Sequence, residues 1–254
     1  MIGSKGKNID LEGLLKGLKC HSSMDLNGIR VKSVTADSRQ VGPGALFVAV
    51  PGTVVDGRTF IQDAVNKGCV AVLAEQGCKV GEMHRVPLIQ VQDSREALGR
   101  ISATFFGNPG GKMKVIGITG TNGKTTCTYL LESVIKAGGG NPGVIGTVNY
   151  RYAGKEIPSS MTTPEPVFLQ GLLQEMLDAG VTHIIMEVSS HALDQKRHAG
   201  LLFDVALFTN LSRDHLDYHK DMKSYFTIKS QLFTEGLKKM GLRSSVNRQP
   251  VRII

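Results

Sequence analysis

No run of apolar residues in this 254-residue chain approaches the ~18 that a membrane-spanning helix needs, so a helical membrane protein is not expected. Met1 to Asp10 are polar and glycine-rich and lack the apolar centre of a signal peptide. The four cysteines, Cys20, Cys69, Cys78 and Cys127, show no paired metal-ligand spacing. Reduced structural thiols in a cytoplasmic protein are the reading they support. Aromatics are few, at 6%, and are not interleaved with basic residues as in single-strand binders. Acids are absent after Glu235, where Lys238, Lys239, Arg243, Arg248 and Arg252 supply five of the net +8 charges. Eight less five leaves +3, and a negatively charged nucleotide substrate explains that surplus as well as a nucleic acid does. The expected protein is a cytoplasmic monomer with neither a nucleic acid nor a membrane as partner.

What is present is a phosphate-binding pattern. The apolar run Val115-Ile116-Gly117-Ile118 breaks into Thr119-Gly120-Thr121-Asn122-Gly123-Lys124-Thr125-Thr126 and then into a helical pattern. Such a loop wraps backbone N–H groups around phosphates, adds a lysine charge and offers a hydroxyl to Mg²⁺. The longer form of the motif would need glycine where Ile118 stands, so this is the shorter Gly-x-x-Gly-Lys-Thr. A chance Gly-Lys-Thr in a surface turn is the bland alternative, but a strand and a helix flank the loop as the mechanism requires.

Along the chain, short strand-like segments alternate with helical patterns. In the first part these are Val31 to Ala36, Leu46 to Val50, Ala71 to Ala74 and Leu88 to Val91, with a two-turn helix around Phe60, Ala64 and Val65. Asp93 with Glu96 starts a helix carrying Leu98, Ile101, Phe105 and Phe106. Gly107-Asn108-Pro109-Gly110-Gly111 is the clearest linker, which sets the expected domains at 1–110, 111–236 and an atypical basic tail, 237–254. In the second part Cys127, Leu130, Leu131, Val134 and Ile135 share one helical face, as do Leu169, Leu172, Leu173, Met176 and Leu177. Continuous apolar strands between helices predict an α/β fold with a largely parallel sheet covered on both faces.

Three polar clusters follow the buried strands: Gly120 to Thr126, Glu187 to His191, and Asn210 to His219. Ligands gather at the carboxyl ends of such strands, so these clusters would bring a carboxylate and an imidazole to the phosphate loop, as a Mg²⁺–phosphate site requires. Glu187 could cap a helix or pair with a surface base, but its position after a buried strand favours a metal-directed role. His215 and His219 stand four apart, as zinc ligands on a helix do, yet no third ligand is spaced nearby. Lys229 borders the apolar side formed by Tyr225, Ile228, Leu232 and Phe233, and by composition it reads as a snorkelling surface lysine.

These residues resemble the Mur ligases, and within them the MurE branch, which adds the third peptide residue to UDP-N-acetylmuramoyl-L-alanyl-D-glutamate. The likeness rests on Asp37-Ser38-Arg39, Pro43 to Ala49, Asp56-Gly57-Arg58, Thr119 to Thr126 and Thr162-Thr163-Pro164. Glu187-Val188-Ser189-Ser190-His191-Ala192-Leu193, Gln195, Arg197 and Phe208 to His219 complete it. The resemblance implies an ATP-dependent amide ligase of peptidoglycan synthesis that adds meso-diaminopimelate through an acyl phosphate, with a lysine-adding enzyme as an alternative. It implies that Gly120 to Thr126 bind ATP, with Lys124 on the phosphates, and that Thr125, Glu187 and His215 hold Mg²⁺. Lys229 would be carbamylated and serve a second Mg²⁺. Ser38 and Thr53-Val54-Val55 would contact UDP, while Thr162, Thr163, Ser189, Gln195 and Arg197 would hold the muramoyl-dipeptide. The family continues past Gly236 with further strands and a C-terminal domain for the incoming amino acid, and Leu237 to Ile254 does not resemble that continuation. A truncated or frame-shifted, inactive chain with an open sheet edge is therefore expected. Another Mur-type ligase such as MurF, a folylpolyglutamate synthase-like enzyme and a non-catalytic nucleotide-binding module are the alternatives.

Overall fold

A computed structural model describes residues 7–52, 55–78 and 86–245. The chain divides into two compact units, the first ending at Gly107 and the second beginning at Asn108.

The first unit runs β1 (Ile9–Asp10), α1 (Leu11–Leu15), β2 (Cys20–Ser22), β3 (Arg30–Val31), β4 (Ser33–Thr35) and β5 (Ala45–Val48). It continues through α2 (Ile61–Asn66), β6 (Ala71–Glu75), β7 (Leu88–Val91) and α3 (Ser94–Phe105). Its five-stranded sheet has the order β2-β7-β6-β5-β4, with β4 to β7 parallel and β2 antiparallel. Phe47 and Val72 pack with Ile61 and Ala64 of α2, and α3 lies against β4 and β6. The start of α3 is set by Asp93, whose side chain accepts the Glu96 N–H at 2.9 Å.

The second unit contains β8 (Lys114–Thr119), α4 (Lys124–Ala137), β9 (Pro142–Ile145), β10 (Asn149–Tyr152) and β11 (Lys155–Pro158). There follow α5 (Pro166–Asp178), β12 (His183–Glu187), α6 (Ser190–Asp194), β13 (Phe203–Phe208), α7 (Leu216–His219), α8 (Met222–Thr234) and β14 (Leu237–Ser245). The sheet order is β11-β10-β9-β12-β8-β13-β14, parallel from β9 to β14 with an antiparallel β10–β11 extension. One face buries Val115, Ile184 and Met186 under Leu169, Leu172, Leu173 and Met176 of α5 and Leu232 of α8. The other packs Ile118, Val144 and Ile185 against Cys127, Leu131 and Ile135 of α4.

Three expectations change here. Leu130 and Val134, expected on the packed face of α4, are 62% and 67% exposed, because the contact with the sheet follows the 127–131–135 row. Lys229, a surface lysine by composition alone and a metal-site residue by the resemblance, is 1% exposed. The segment after Gly236 does not leave β13 as an open edge: Leu237–Ser245 pairs with it in parallel. An edge strand needs backbone partners on one side only, and Lys238 meets Asp204 of β13 at 2.7 Å, so a basic composition is compatible with it.

Candidate functional site

The strand registers gather the polar clusters. Glu187 lies opposite Ile118 and Phe208 opposite Thr119, so the chain leaves β12, β8 and β13 at one level. Gly120 has φ +137°, and a Cβ there would lie 2.0 Å from Thr209 Oγ1, which restricts the position to glycine. Gly123, at φ +82°, is the N-cap of α4 and makes no side-chain cap bond, leaving the first helical N–H groups to a ligand.

The loop is braced by the segment after β13. Thr121 N–H donates to Asn210 O at 2.9 Å, and its hydroxyl meets the Ser212 N–H and carbonyl at 3.0 and 3.2 Å. Asn122 N–H donates to Asn210 Oδ1 at 3.0 Å, and the Thr209 hydroxyl donates to Asn122 O at 2.6 Å. Thr125 is half-buried in the first turn of α4, and Thr126 is exposed.

Two lysines reach one carbonyl. Lys124 Nζ donates to Gly120 O at 3.0 Å and to Thr121 O at 2.9 Å. Lys229 Nζ, from α8, donates to Gly120 O at 2.9 Å and lies 4.5 Å from the centre of the Tyr225 ring. Burial lowers the pKa of Lys124, against the charges of Glu187 and Asp214. Burial and then the Lys124 charge push Lys229 down to about 7, with Asp214 opposing.

Glu187, at the end of β12, is 1% exposed. Its carboxylate accepts from Thr147 N–H at 3.3 Å and from the Thr147 hydroxyl at 2.9 Å. His215 has φ +51° and a half-exposed ring beside His191, centroids 5.1 Å apart. His219 is buried, with Nε2 2.8 Å from Ser190 Oγ, so it ties α7 to α6. Among the described residues no three His, Cys, Asp or Glu side chains gather as a metal cluster. The expected Mg²⁺ set has only two of those types, Glu187 and His215, and is completed by the Thr125 hydroxyl and a carbamate on Lys229. Carboxylate, hydroxyl and carbamate oxygens are the hard donors Mg²⁺ takes, and a buried lysine with a lowered pKa would suit carbamate formation.

The residues expected to hold a dipeptide form one connected patch. Thr162 Oγ1 lies 3.0 Å from Thr147 Oγ1. Thr163 is fully buried, its hydroxyl donating to Glu187 O at 2.8 Å and accepting the Ser189 N–H at 3.1 Å, so it braces the site internally. Ser189 caps α6 by accepting the Ala192 N–H at 3.1 Å. Arg197 donates to Gln195 Oε1 at 3.0 and 2.7 Å and to Thr163 O at 3.1 Å, and it pairs with Glu165 at 3.1 Å.

In the first unit Ser38 begins a short turn capped by Asp37, which accepts the Arg39 N–H at 3.0 Å, and Ser38 O accepts from Lys67 Nζ at 2.8 Å. Val55 is exposed, whereas Thr53 and Val54 lie outside the described residues. Sequence reasoning missed Gly146 and Thr147. They follow a buried strand, β9, just as the three recognised clusters follow theirs, and that placement was the available signal.

A glycine-rich loop between a central parallel strand and a helix, braced from the neighbouring strand end, is the architecture of a P-loop-type α/β domain. The profile of the Mur ligase middle domain matches residues 118–250, and that of the Mur ligase family catalytic domain matches residues 30–106. The chain belongs to the Mur ligase family. It is 48% identical to the UDP-N-acetylmuramoyl-L-alanyl-D-glutamate–2,6-diaminopimelate ligase of Geobacter metallireducens, over 82% of this chain and 40% of that protein. It is 46% identical to the Aquifex aeolicus ligase of the same name, over 84% of this chain and 44% of that one. A solved structure of a ligase so named superposes with TM-score 0.75 at 25% identity, covering 88% of this chain and 50% of the other. The chain thus spans less than half the length of these two curated relatives. The middle-domain match extends into the basic segment after Gly236.

Proposed function

We propose that this chain carries the nucleotide and muramoyl-dipeptide sites of a MurE ligase, which adds meso-diaminopimelate to UDP-N-acetylmuramoyl-L-alanyl-D-glutamate. The observation that carries the reading is the meeting of Lys124 and Lys229 at the Gly120 carbonyl, within a loop held open by Thr209 and Asn210. Gly120 to Thr126 bind the phosphates of ATP, and Lys124 turns from Gly120 and Thr121 to neutralise them. Thr125, Glu187, His215 and carbamylated Lys229 are the residues that would hold Mg²⁺, whose charge offsets that of the phosphates. Arg197, whose fork is held by Gln195 and Glu165, turns from them to take a carboxylate of the dipeptide. Thr162 and Ser189 lie in the same patch, with Thr163 bracing it, and Ser38 with the 53–55 segment serves UDP in the first unit.

In the proposed reaction the γ-phosphoryl group passes to the D-glutamate carboxylate, and the diamino acid's amine displaces phosphate to form the amide. The residues named here contribute positioning and charge stabilisation. The 254-residue chain is proposed to bind both ATP and the UDP-muramoyl-dipeptide. A cytoplasmic monomer is part of the same proposal, and among the described residues no helix is long and apolar enough to cross a membrane.

Calorimetric titration with ATP tests the nucleotide site. Lys124→Ala is expected to weaken binding at least about tenfold, ~1.4 kcal/mol. Equal affinity in the two proteins would remove Lys124 from the phosphate site.

A further inference from the structure

We infer that Thr147 is a positioning residue that fixes the Glu187 carboxylate and joins it to Thr162, linking the metal side of the site to the dipeptide side. The inference rests on the proposed roles of Glu187 and Thr162. The register that sets Ile145 opposite Met186 carries Gly146 alongside Glu187, with Thr147 one residue beyond. A Cβ on Gly146 would lie 2.5 Å from Glu187 Oε1, so the close approach depends on glycine. A carboxylate as buried as Glu187 requires donors. Among the described residues those on its two oxygens are the N–H and the hydroxyl of Thr147, at 3.3 and 2.9 Å.

Proton counting gives the chain a direction. A threonine hydroxyl has one hydrogen, and that of Thr147 goes to Glu187. The 3.0 Å contact with Thr162 must then be a bond donated by Thr162 to Thr147. The order is Thr162 to Thr147 to Glu187, while the neighbouring Thr163 hydroxyl holds the Glu187 carbonyl. Side chain and backbone of the metal-directed carboxylate are therefore fixed from two directions. A ligand that recruits the Thr162 hydroxyl removes the donor behind Thr147, and coupling of this kind between two sites is reciprocal.

The test is ATP affinity of the 254-residue chain, measured by calorimetry with and without MgCl₂, in wild type, Thr147→Val, Thr147→Ala and Thr147→Ser. Mg²⁺ is expected to tighten ATP binding in wild type and in Thr147→Ser. In Thr147→Val and Thr147→Ala that tightening should fall by about tenfold, the order of one hydrogen bond to a charged group. Mg²⁺-free affinity should stay unchanged in all four, which also reports an intact fold. Full Mg²⁺-linked tightening in either the valine or the alanine variant, or equal loss in the serine variant, overturns the role of Thr147 and leaves the nucleotide site standing. A wild-type chain whose ATP binding ignores Mg²⁺ overturns both.

Discussion

Lys229 is a cation placed where a cation is poorly tolerated: buried, beside Lys124, and hydrogen-bonded to the Gly120 carbonyl. Its ordinary pKa of 10.5 falls to about 7 in the fold. Below pH 7 folded and unfolded chains are both protonated, and the full cost of the buried charge is present. Between 7 and 10.5 the unfolded chain binds the extra proton, so stability rises with pH. Lys229→Met should therefore be more stable than wild type in CO₂-free buffer, with an advantage that is larger at about pH 6.5 than at about pH 9 by urea unfolding. An advantage independent of pH would show that the amine is not desolvated. The placement of Lys124, Glu187 and His215 at or after the ends of β8, β12 and β13 was legible, because each comes at the end of a buried apolar run in the sequence. The burial of Lys229 was not, since its sequence neighbours place it at the margin of a helical stripe and its partner stands 109 residues away. Thr147 carried the strand-end signal, following β9, but nothing in the sequence paired it with Glu187, 40 residues away.

Helices α4 and α8 show how far periodicity reaches. A 3.6-residue period says which side chains share a face, not how broad a surface lies beneath it. Under α4 the sheet takes the row of Cys127, Leu131 and Ile135 and leaves Leu130 and Val134 outside. Under α8 it takes Leu232 completely. Leu232→Ala is expected to cost about 2–5 kcal/mol in urea unfolding, whereas Leu130→Ala should stay within about 0.5 kcal/mol. A large loss at Leu130 would mean that this flank of α4 is packed in the folded chain. Strand β14 escaped the sequence for a related reason. Its pairing with β13 is carried by the backbone, and Lys238 answers Asp204, so neither apolar alternation nor low charge advertises it.

At the scale of the whole molecule, there are two α/β units, and each bears a proposed ligand site of its own: UDP in the first, ATP and the muramoyl-dipeptide in the second. The parallel order of the sheets could be read from apolar strands alternating with helices, because strands buried on both faces lose their polar alternation. The antiparallel β10–β11 extension could not, since β10 alternates in burial, β11 is mostly exposed, and neither forms a continuous apolar run. Membership of the Mur ligase family follows from the matches to residues 30–106 and 118–250, while the choice of a muramoyl-dipeptide as substrate rests on the patch around Arg197. Titration of the 254-residue chain with UDP-N-acetylmuramoyl-L-alanyl-D-glutamate, beside UDP-N-acetylglucosamine as a ligand lacking the dipeptide, tests that choice most directly. The dipeptide ligand should bind more tightly, and Arg197→Ala should weaken it alone by about tenfold, the order of a lost charge-assisted contact. Equal affinity for the two ligands, with or without Arg197, would contradict a muramoyl-dipeptide site in this protein.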